Sequence, residues 1–508
     1  MTRPFHPLLL ALYPTAALLA VNIEQTDAMA ALRPAALSLA LALVLTALLC
    51  LAVRDLDRAA ALASLGLIVF FSYGHVYEVL KNAAVAGEPI GRHRYLAPFF
   101  AALTAFLGWR ILRRRPPATS TRLLNIVSLV LVALPLAQAA IYALETGQSP
   151  RATPRLESGN PPDRLPDVYY ILLDAYTRQD VLRSGFGVDN AMFLSALERL
   201  DFDVAACAQS NYAQTELTLA SALNLDYLDR LGLSDSASRD RTALLFLIRE
   251  SALRRFFEGL GYRIVAFQTG YAWSEWQDAD VYLRPEGGAF DVPLTAFESL
   301  MIDGTALRLL TDAPAALPAA LGGAFDGPVE LHRRRVLYTL DKLERLPDEP
   351  GPKLVFAHIV APHRPYVLAP DAESELARRS LLADFDPARL DGTVVGYRNQ
   401  VLYLNDRLLP ILEGIVRRSS TPPVVILQGD HGPDEATGGE RMAILDALHL
   451  PRGIGAPLAE ARTPINDFRF MLREVFDVEL DPVEDRSFFS EYEAPFDFVE
   501  VPQACRGA

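Results

Sequence analysis

Four residues of this chain are of the types that hold a cation beside a nucleophile: Asp174, Thr215, Asp430 and His431. Asp430 and His431 are consecutive, and they follow the apolar run Val424-Val425-Ile426-Leu427 before Gly432 and Pro433 turn the chain. Asp174 ends a second run of the same design, Val168-Tyr169-Tyr170-Ile171-Leu172-Leu173. Two carboxylates and an imidazole suit a hard or borderline divalent cation, and Zn, Mn and Mg all accept such a set. Thr215 opens a stretch, after Ser210-Asn211-Tyr212-Ala213-Gln214, that reads as a helix. Free backbone N–H groups and the helix dipole favour an anion there. A divalent cation on its hydroxyl would lower the pKa and give an alkoxide-like attacker. Thr218 lies one turn further on. Each residue alone has an ordinary reading, since strand-end Asp residues cap or turn chains and a helix-opening Thr is often an N-cap. It is their combination that points to a metal site.

The elements that must position these residues alternate along the chain. Strands are expected at 167–173, 263–267, 354–360 and 423–428, with helices at about 189–200, 243–260, 330–346 and 396–418. Such alternation predicts an α/β domain with a largely parallel central sheet covered by helices. Ligands then bind at the carboxyl ends of the strands. His332, beside Arg333, Arg334 and Arg335, reads as part of a solvated helix face, and Trp273, Trp276 and the 270–330 insertion as shaping a substrate pocket.

Ahead of that domain, residues 7–23, 34–53, 59–80, 95–112 and 123–144 are long runs with little or no charge. Each approaches the roughly 20 residues that a helix needs to cross a bilayer. The sequence therefore predicts a multi-span α-helical membrane domain of five helices over 1–144. A Pro-rich linker follows at 145–166, and an exported catalytic domain over 167–508. Arg110, Arg113, Arg114, Arg115 and Arg122 mark the loop between the fourth and fifth runs as cytoplasmic. The N-terminus is then cytoplasmic and the α/β domain lies outside a bacterial-type inner membrane. Within the spans, His75 and Glu78 are the main ionisable candidates, close enough to the interface for snorkelling.

The formal net charge of −14 excludes a nucleic-acid partner, because phosphate binding requires a basic face. The three cysteines, Cys50, Cys207 and Cys505, leave open whether the two exported ones are bridged. Oligomeric state is not readable.

Strand-Asp, helix-opening Thr and strand-Asp-His-Gly together resemble the alkaline phosphatase/sulfatase superfamily. The closest likeness is to its membrane-anchored sulfatase-like hydrolase/transferase branch, which includes lipoteichoic-acid synthases and phosphoethanolamine transferases. The resemblance covers about 166–480 and implies one divalent metal ion (Zn, Mn or Mg) held by Asp174, Thr215, Asp430 and His431. It further implies that Thr215 is the catalytic nucleophile, passing through a covalent phospho-threonine. His358 and His363, in His358-Ile359-Val360-Ala361-Pro362-His363-Arg364-Pro365, match the family's substrate-phosphate histidines. No Cys-x-Pro-Ser-Arg is present, Cys207 being followed by Ala208-Gln209-Ser210, and Asp174 stands where those transferases carry Glu. The reading is of a phosphoryl or phosphodiester hydrolase or phospho-group transferase. Its substrates would be lipid-linked or envelope phosphoesters at the bilayer. A sulfatase-like ester hydrolase and an inactive envelope binding or scaffold module are the alternatives.

Overall fold

The computed structural model describes residues 3–26, 28–81, 84–85, 88–89, 91–145, 154–285, 295–312, 328–368, 390–434, 436, 438–451 and 461–503. Two compact units emerge: Met1–Gly147 with Gly287–Pro328, and Gln148–Glu286 with Val329–Ala508.

The first unit contains α1 (His6–Asn22), α2 (Leu32–Val53), α3 (Leu56–Leu80), α4 (His93–Arg113) and α5 (Ala118–Glu145). A short hairpin of β1 (Ala84–Val85) and β2 (Glu88–Pro89) lies between α3 and α4. Four of these helices, α2 to α5, are long and apolar enough to cross a membrane. The remaining expected span is α1, an apolar helix of 17 residues, at the short end of the roughly 17–25 that suffice. Arg115 pairs with Asp55 at 3.3 Å and with Asp57 at 3.2 Å, so the α2–α3 and α4–α5 connections share one end of the bundle.

The expected boundaries differ in one respect. Residues 167–508 were read as one exported domain, but α11 (Ala296–Asp303) and α12 (Arg308–Thr311) pack in the first unit. Charge and backbone hold them there. Glu298 pairs with Arg33, and Arg308 with Glu78 at 2.8 Å. Gly74 N donates to Gly304 O at 3.1 Å, while Phe70 O, one turn back in α3, accepts from Ala306 N at 2.8 Å. A Cβ at Gly74 would sit 2.0 Å from Asp303 O, so only glycine permits the approach. This also gives Glu78 a structural partner.

The second unit is a sheet of seven strands in the order β4-β9-β8-β3-β7-β5-β6. They are β3 (Val168–Leu173), β4 (Asp203–Val204), β5 (Arg263–Phe267), β6 (Val281–Leu283), β7 (Lys353–Ile359), β8 (Val424–Gly429) and β9 (Asp446–His449). From β8 to β6 the strands are parallel; β9 and β4 run antiparallel at one edge. All six residues of β3 and of β8 are buried, as expected where helices cover both faces of a parallel sheet. Alternate residues point to opposite faces. Tyr170 and Leu172 pack with α8 (Thr215–Ala222), α9 (Thr242–Arg249), α10 (Ala252–Gly259) and the helix Pro464–Phe476. Tyr169, Ile171 and Leu173 meet α6 (Gln179–Phe186), α7 (Ala191–Arg199) and the helices Pro328–Leu343 and Leu390–Arg418. Leu404, Leu408, Ile411, Leu412 and Ile415 form the buried stripe of the last of these. Each such side chain contributes roughly 1.5–3 kcal/mol over leaving it exposed.

The four expected strands are present within a residue at each end. The helix expected at 243–260 is two helices, because Ser251 caps the second through Arg254 N. His332 is buried rather than solvated: the Pro328–Leu343 helix turns it inward, and burial with nearby Arg335 lowers its pKa to about 4. Trp276 is fully buried against Phe356 at 4.4 Å, so it is core rather than pocket wall. Cys207 is disulfide-bonded and Cys50 is free; Cys505 lies outside the described residues.

Candidate metal centre and nucleophile

β3 and β8 are adjacent and in parallel register, with Leu173 opposite Gly429. The next residue of each strand is therefore a carboxylate beside a carboxylate, Asp174 and Asp430. Gly429 is required at this point, since a Cβ there would lie 2.2 Å from Tyr176 O. His431 follows directly, and one ligand atom each from Asp174, Asp430 and His431 lies within 4.8 Å of the others. Among the described residues this is the one such cluster of His, Cys, Asp or Glu.

The hydrogen bonds fix which atoms are free for a ligand. Asp430 Oδ1 accepts from Ala175 N at 2.8 Å and from His431 N at 2.9 Å. Its Oδ2, like Asp174 Oδ1, is buried with no hydrogen-bond partner. His431 Nδ1 lies 2.8 Å from Gly432 O, which can only accept, so Nδ1 carries the proton and Nε2 is a lone pair. That Nε2 is 3.4 Å from Asp430 Oδ2 and 3.9 Å from Asp174 Oδ1. Burial opposes a charge on His431 and outweighs Asp430, lowering its pKa and keeping it neutral. For Asp174, burial alone would raise the carboxyl. The imidazoles of His363, His358 and His431 outweigh that and hold it well below the usual carboxylate range. Two orphaned buried carboxylate oxygens and a neutral imidazole lone pair, all converging, are the donor set a divalent cation needs.

Thr215 is the first residue of α8, with Gln214 as N-cap. Its Oγ1 is 3.1 Å from His431 Nε2 and, that nitrogen being a lone pair, the hydroxyl donates. Thr218 has a different task. Its hydroxyl donates to Tyr212 O at 2.9 Å and to Asp430 O at 3.1 Å, tying α8 to the strand end. Behind Thr215, Glu216 is fully enclosed by Arg241 at 2.8 Å and Tyr271 Oη at 3.1 Å. Arg241 also reaches Gln214 Oε1 at 2.9 Å, so the N-terminal turn of α8 is held from below by a buried ion pair.

The two candidate histidines are placed differently. His358 lies within β7 and is 2 % exposed. Its Nδ1 meets Ser274 Oγ at 2.7 Å, and its Nε2 faces Asp174 Oδ2 at 3.5 Å. That enclosure ties it to Asp174. His363 is half-buried at the rim. Its Nδ1 is 2.6 Å from Arg364 O and its Nε2 is 3.2 Å from Asp434 Oδ2. Both contacts require a proton on the ring, so His363 is an imidazolium. Burial opposes that charge, but Asp174 and the Asp434 hydrogen bond outweigh it and raise the pKa to about 10. Asp434 in turn is held far below the usual range: burial would raise it, but His363 and Arg441 prevail. Arg441 Nη1 donates to Asp434 Oδ1 and to Gly432 O, both at 2.7 Å, bracing the loop.

Sequence reasoning missed Ser274, the role of Arg441, and Asp434, which lies three residues past His431. His449 is remote from this chemistry, bonded to Pro423 O at 3.0 Å.

The His363–Asp434 pair carries a pH signature. A raised folded pKa means that the stabilisation is complete below the ordinary value of 6.5 and is lost as the pH climbs through about 10. Asp434→Asn removes the carboxylate and leaves burial less opposed. The alkaline limb of kcat/KM toward an anionic substrate is expected to move down by about one to two pH units, the usual effect of one close opposite charge. A pH–rate profile of the two proteins checks this; superimposable limbs would detach His363 from turnover.

No family model matches the chain. No curated protein matches it in sequence. Among solved structures it is similar to the C-terminal periplasmic domain of EptC from Escherichia coli in complex with Zn, at 12 % identity and a TM-score of 0.43, over 69 % of this chain and 96 % of that one. It is also similar to the integral membrane lipooligosaccharide phosphoethanolamine transferase A of Neisseria meningitidis, at 12 % identity and a TM-score of 0.38, over 93 % and 95 %. A third is the lipoteichoic acid synthase LtaP of Listeria monocytogenes, at 13 % identity and a TM-score of 0.38, over 64 % and 77 %.

Proposed function

We propose that this chain is a membrane-anchored, metal-dependent enzyme of the alkaline phosphatase/sulfatase type. It would hydrolyse or transfer a phospho group of a lipid-linked or envelope ester through Thr215. The observation that carries the reading is the convergence of Asp174 Oδ1, Asp430 Oδ2 and His431 Nε2, two of them buried without partners, beside the Thr215 hydroxyl. Asp174, Asp430 and His431, with Thr215 Oγ1, would hold one divalent ion (Zn, Mn or Mg). Bound there, the ion lowers the hydroxyl pKa and offsets negative charge on the transferring group.

The residues divide the remaining work. Thr215 Oγ1 gives up its proton to solvent and forms the new bond to phosphorus while the P–O bond to the leaving group breaks; the leaving oxygen takes that electron pair and a proton from solvent, giving a phospho-threonine. Water, or an acceptor hydroxyl or amine, then attacks phosphorus and returns the electron pair to Oγ1. His363, an imidazolium at the rim whose two N–H groups are held by Arg364 O and Asp434, sets its positive charge against the non-bridging oxygens, which is electrostatic stabilisation as charge builds. His358 keeps Asp174 in place. Bilayer tethering confines the enzyme with its substrate; the expected topology is multi-pass in a bacterial-type inner membrane, with the N-terminus cytoplasmic and the catalytic unit outside.

The test is elemental analysis of the purified full chain, followed by brief turnover of a phosphodiester and a peptide search for phosphate on Thr215. Divalent metal at one ion per chain with phospho-Thr215 is the expected result. Metal-free protein, or phosphate on Thr218 or Ser221 instead, would reject it.

A further inference from the structure

The first unit holds a cavity of about 720 Å³ between α1, α3 and α5, with Leu300–Thr305 of the α11 segment along one side, where Met301 Sδ lies 3.4 Å from Thr15 Oγ1. Its walls are mostly hydrocarbon, from Leu10, Ala17, Leu67, Phe71, Leu131 and Met301 among others, with Ser72, His75 and Thr305 among the polar groups. Four lining residues are themselves well exposed: Val21 at 79 %, Ile68 at 47 %, Val127 at 44 % and Leu300 at 52 %. On helices that span a membrane, exposed apolar side chains face lipid tails, so the cavity opens sideways into hydrocarbon.

Its chemistry and length narrow the occupant. Water is excluded, because an apolar cavity offers it too few hydrogen-bond partners. Leaving it empty forfeits dispersion contacts along the whole wall. On α1 the lining runs from Leu10 to Val21, about 16 Å at the helical rise of 1.5 Å per residue. That is roughly half of the 30 Å hydrocarbon core. A transmembrane helix from a partner must cross the full core, about twice the length of this lining. The α11 segment that walls one side is fixed by the Gly74–Gly304 and Phe70–Ala306 main-chain bonds. A guest that enters from the side and reaches about half the core remains. The volume lies in the ordinary range for a small-molecule site, about 300–1,000 Å³.

The geometry points to a binding site for one acyl chain of a bilayer phospholipid, wedged between α1, α3 and α5 and walled on one side by α11. The chain enters past Ile68 and Val127. Its burial joins the returning 296–311 segment to the spans, so the lipid is part of the first unit's core. This holds whether or not Thr215 is a nucleophile, since no lining residue belongs to that site.

The test uses the full chain in phosphatidylcholine vesicles containing phosphatidylcholine with a diazirine on one acyl chain. After photolysis, labelled peptides are mapped by mass spectrometry. Label is expected on 10–21, 67–75 and 300–305 in excess of the lipid-facing residues Leu43 and Leu48 of α2. Ile68→Trp, which obstructs the mouth at an exposed position and spares the fold, should reduce label at Met301 and Leu131 by about tenfold, as when roughly two methylenes can no longer be buried. Ala17→Phe, filling the interior, should do the same, and Leu43→Trp should do neither. Label confined to the α2 face, or label at Met301 unchanged by Ile68→Trp, would overturn the proposal.

Discussion

Thr215→Ala is expected to lower phosphodiester turnover by at least about a thousandfold while leaving metal content unchanged, the loss seen when a covalent nucleophile is deleted. The separation of these two readouts follows from the geometry. Three of the four proposed ligand atoms, on Asp174, Asp430 and His431, are placed by β3, β8 and the bonds to Ala175 N and Gly432 O, none of which involves Thr215. Removing the hydroxyl costs its donation to His431 Nε2, about 1 kcal/mol of stability, and leaves α8 anchored through Thr218. Thr215→Ser keeps the oxygen and should retain a measurable fraction of the rate and remain phosphorylatable. If Thr215→Ala protein turns over at the wild-type rate, or loses its metal along with its activity, the nucleophile assignment fails.

The sequence-level reading reached the site through the strands rather than through the residues that complete it. Buried parallel strands read as unbroken apolar runs, so Val168–Leu173 and Val424–Gly429 could be recognised, and with them the carboxylates at their ends. That the ends align was not legible. Register depends on neighbouring strands, and only the Leu173–Gly429 pairing brings Asp174 and Asp430 together. The edge strands were invisible because Asp203–Val204 is two residues long and owes its existence to β9. Asp434 and Ser274 sit in loops, where no periodicity marks a residue. His332 was misjudged because three flanking arginines masked a helix face that turns inward. The 296–311 segment was assigned to the wrong unit for a similar reason. Its partners Arg33, Gly74 and Glu78 lie more than two hundred positions earlier, and the glycine that admits it has no signature of its own.

Asp430→Asn is expected to move stability in opposite directions depending on metal. In protein stripped of metal, Asp430 Oδ2 is a buried anionic oxygen without a donor, facing Asp174 across one strand spacing. The amide keeps Oδ1 as acceptor for Ala175 N and His431 N. In place of the orphaned oxygen it puts an NH2, a neutral donor on the side of Asp174 Oδ1, which is itself buried without a partner. Stripped Asp430→Asn should therefore unfold at a higher temperature than stripped wild type, by the few degrees that correspond to about 1–3 kcal/mol for a rescued buried polar atom. Metal reverses the order. Wild type gains about 2.7 kcal/mol at a hundredfold excess over Kd, while the variant, lacking an anionic ligand, gains almost nothing. Thermal scans with and without Zn, reading Trp273 and Trp276 in the second unit's core, compare the four states directly. A purely structural Asp430 would lower stability in both conditions when replaced, and a cation held elsewhere would protect both proteins equally. The crossing of the two curves is what a carboxylate kept for a cation requires.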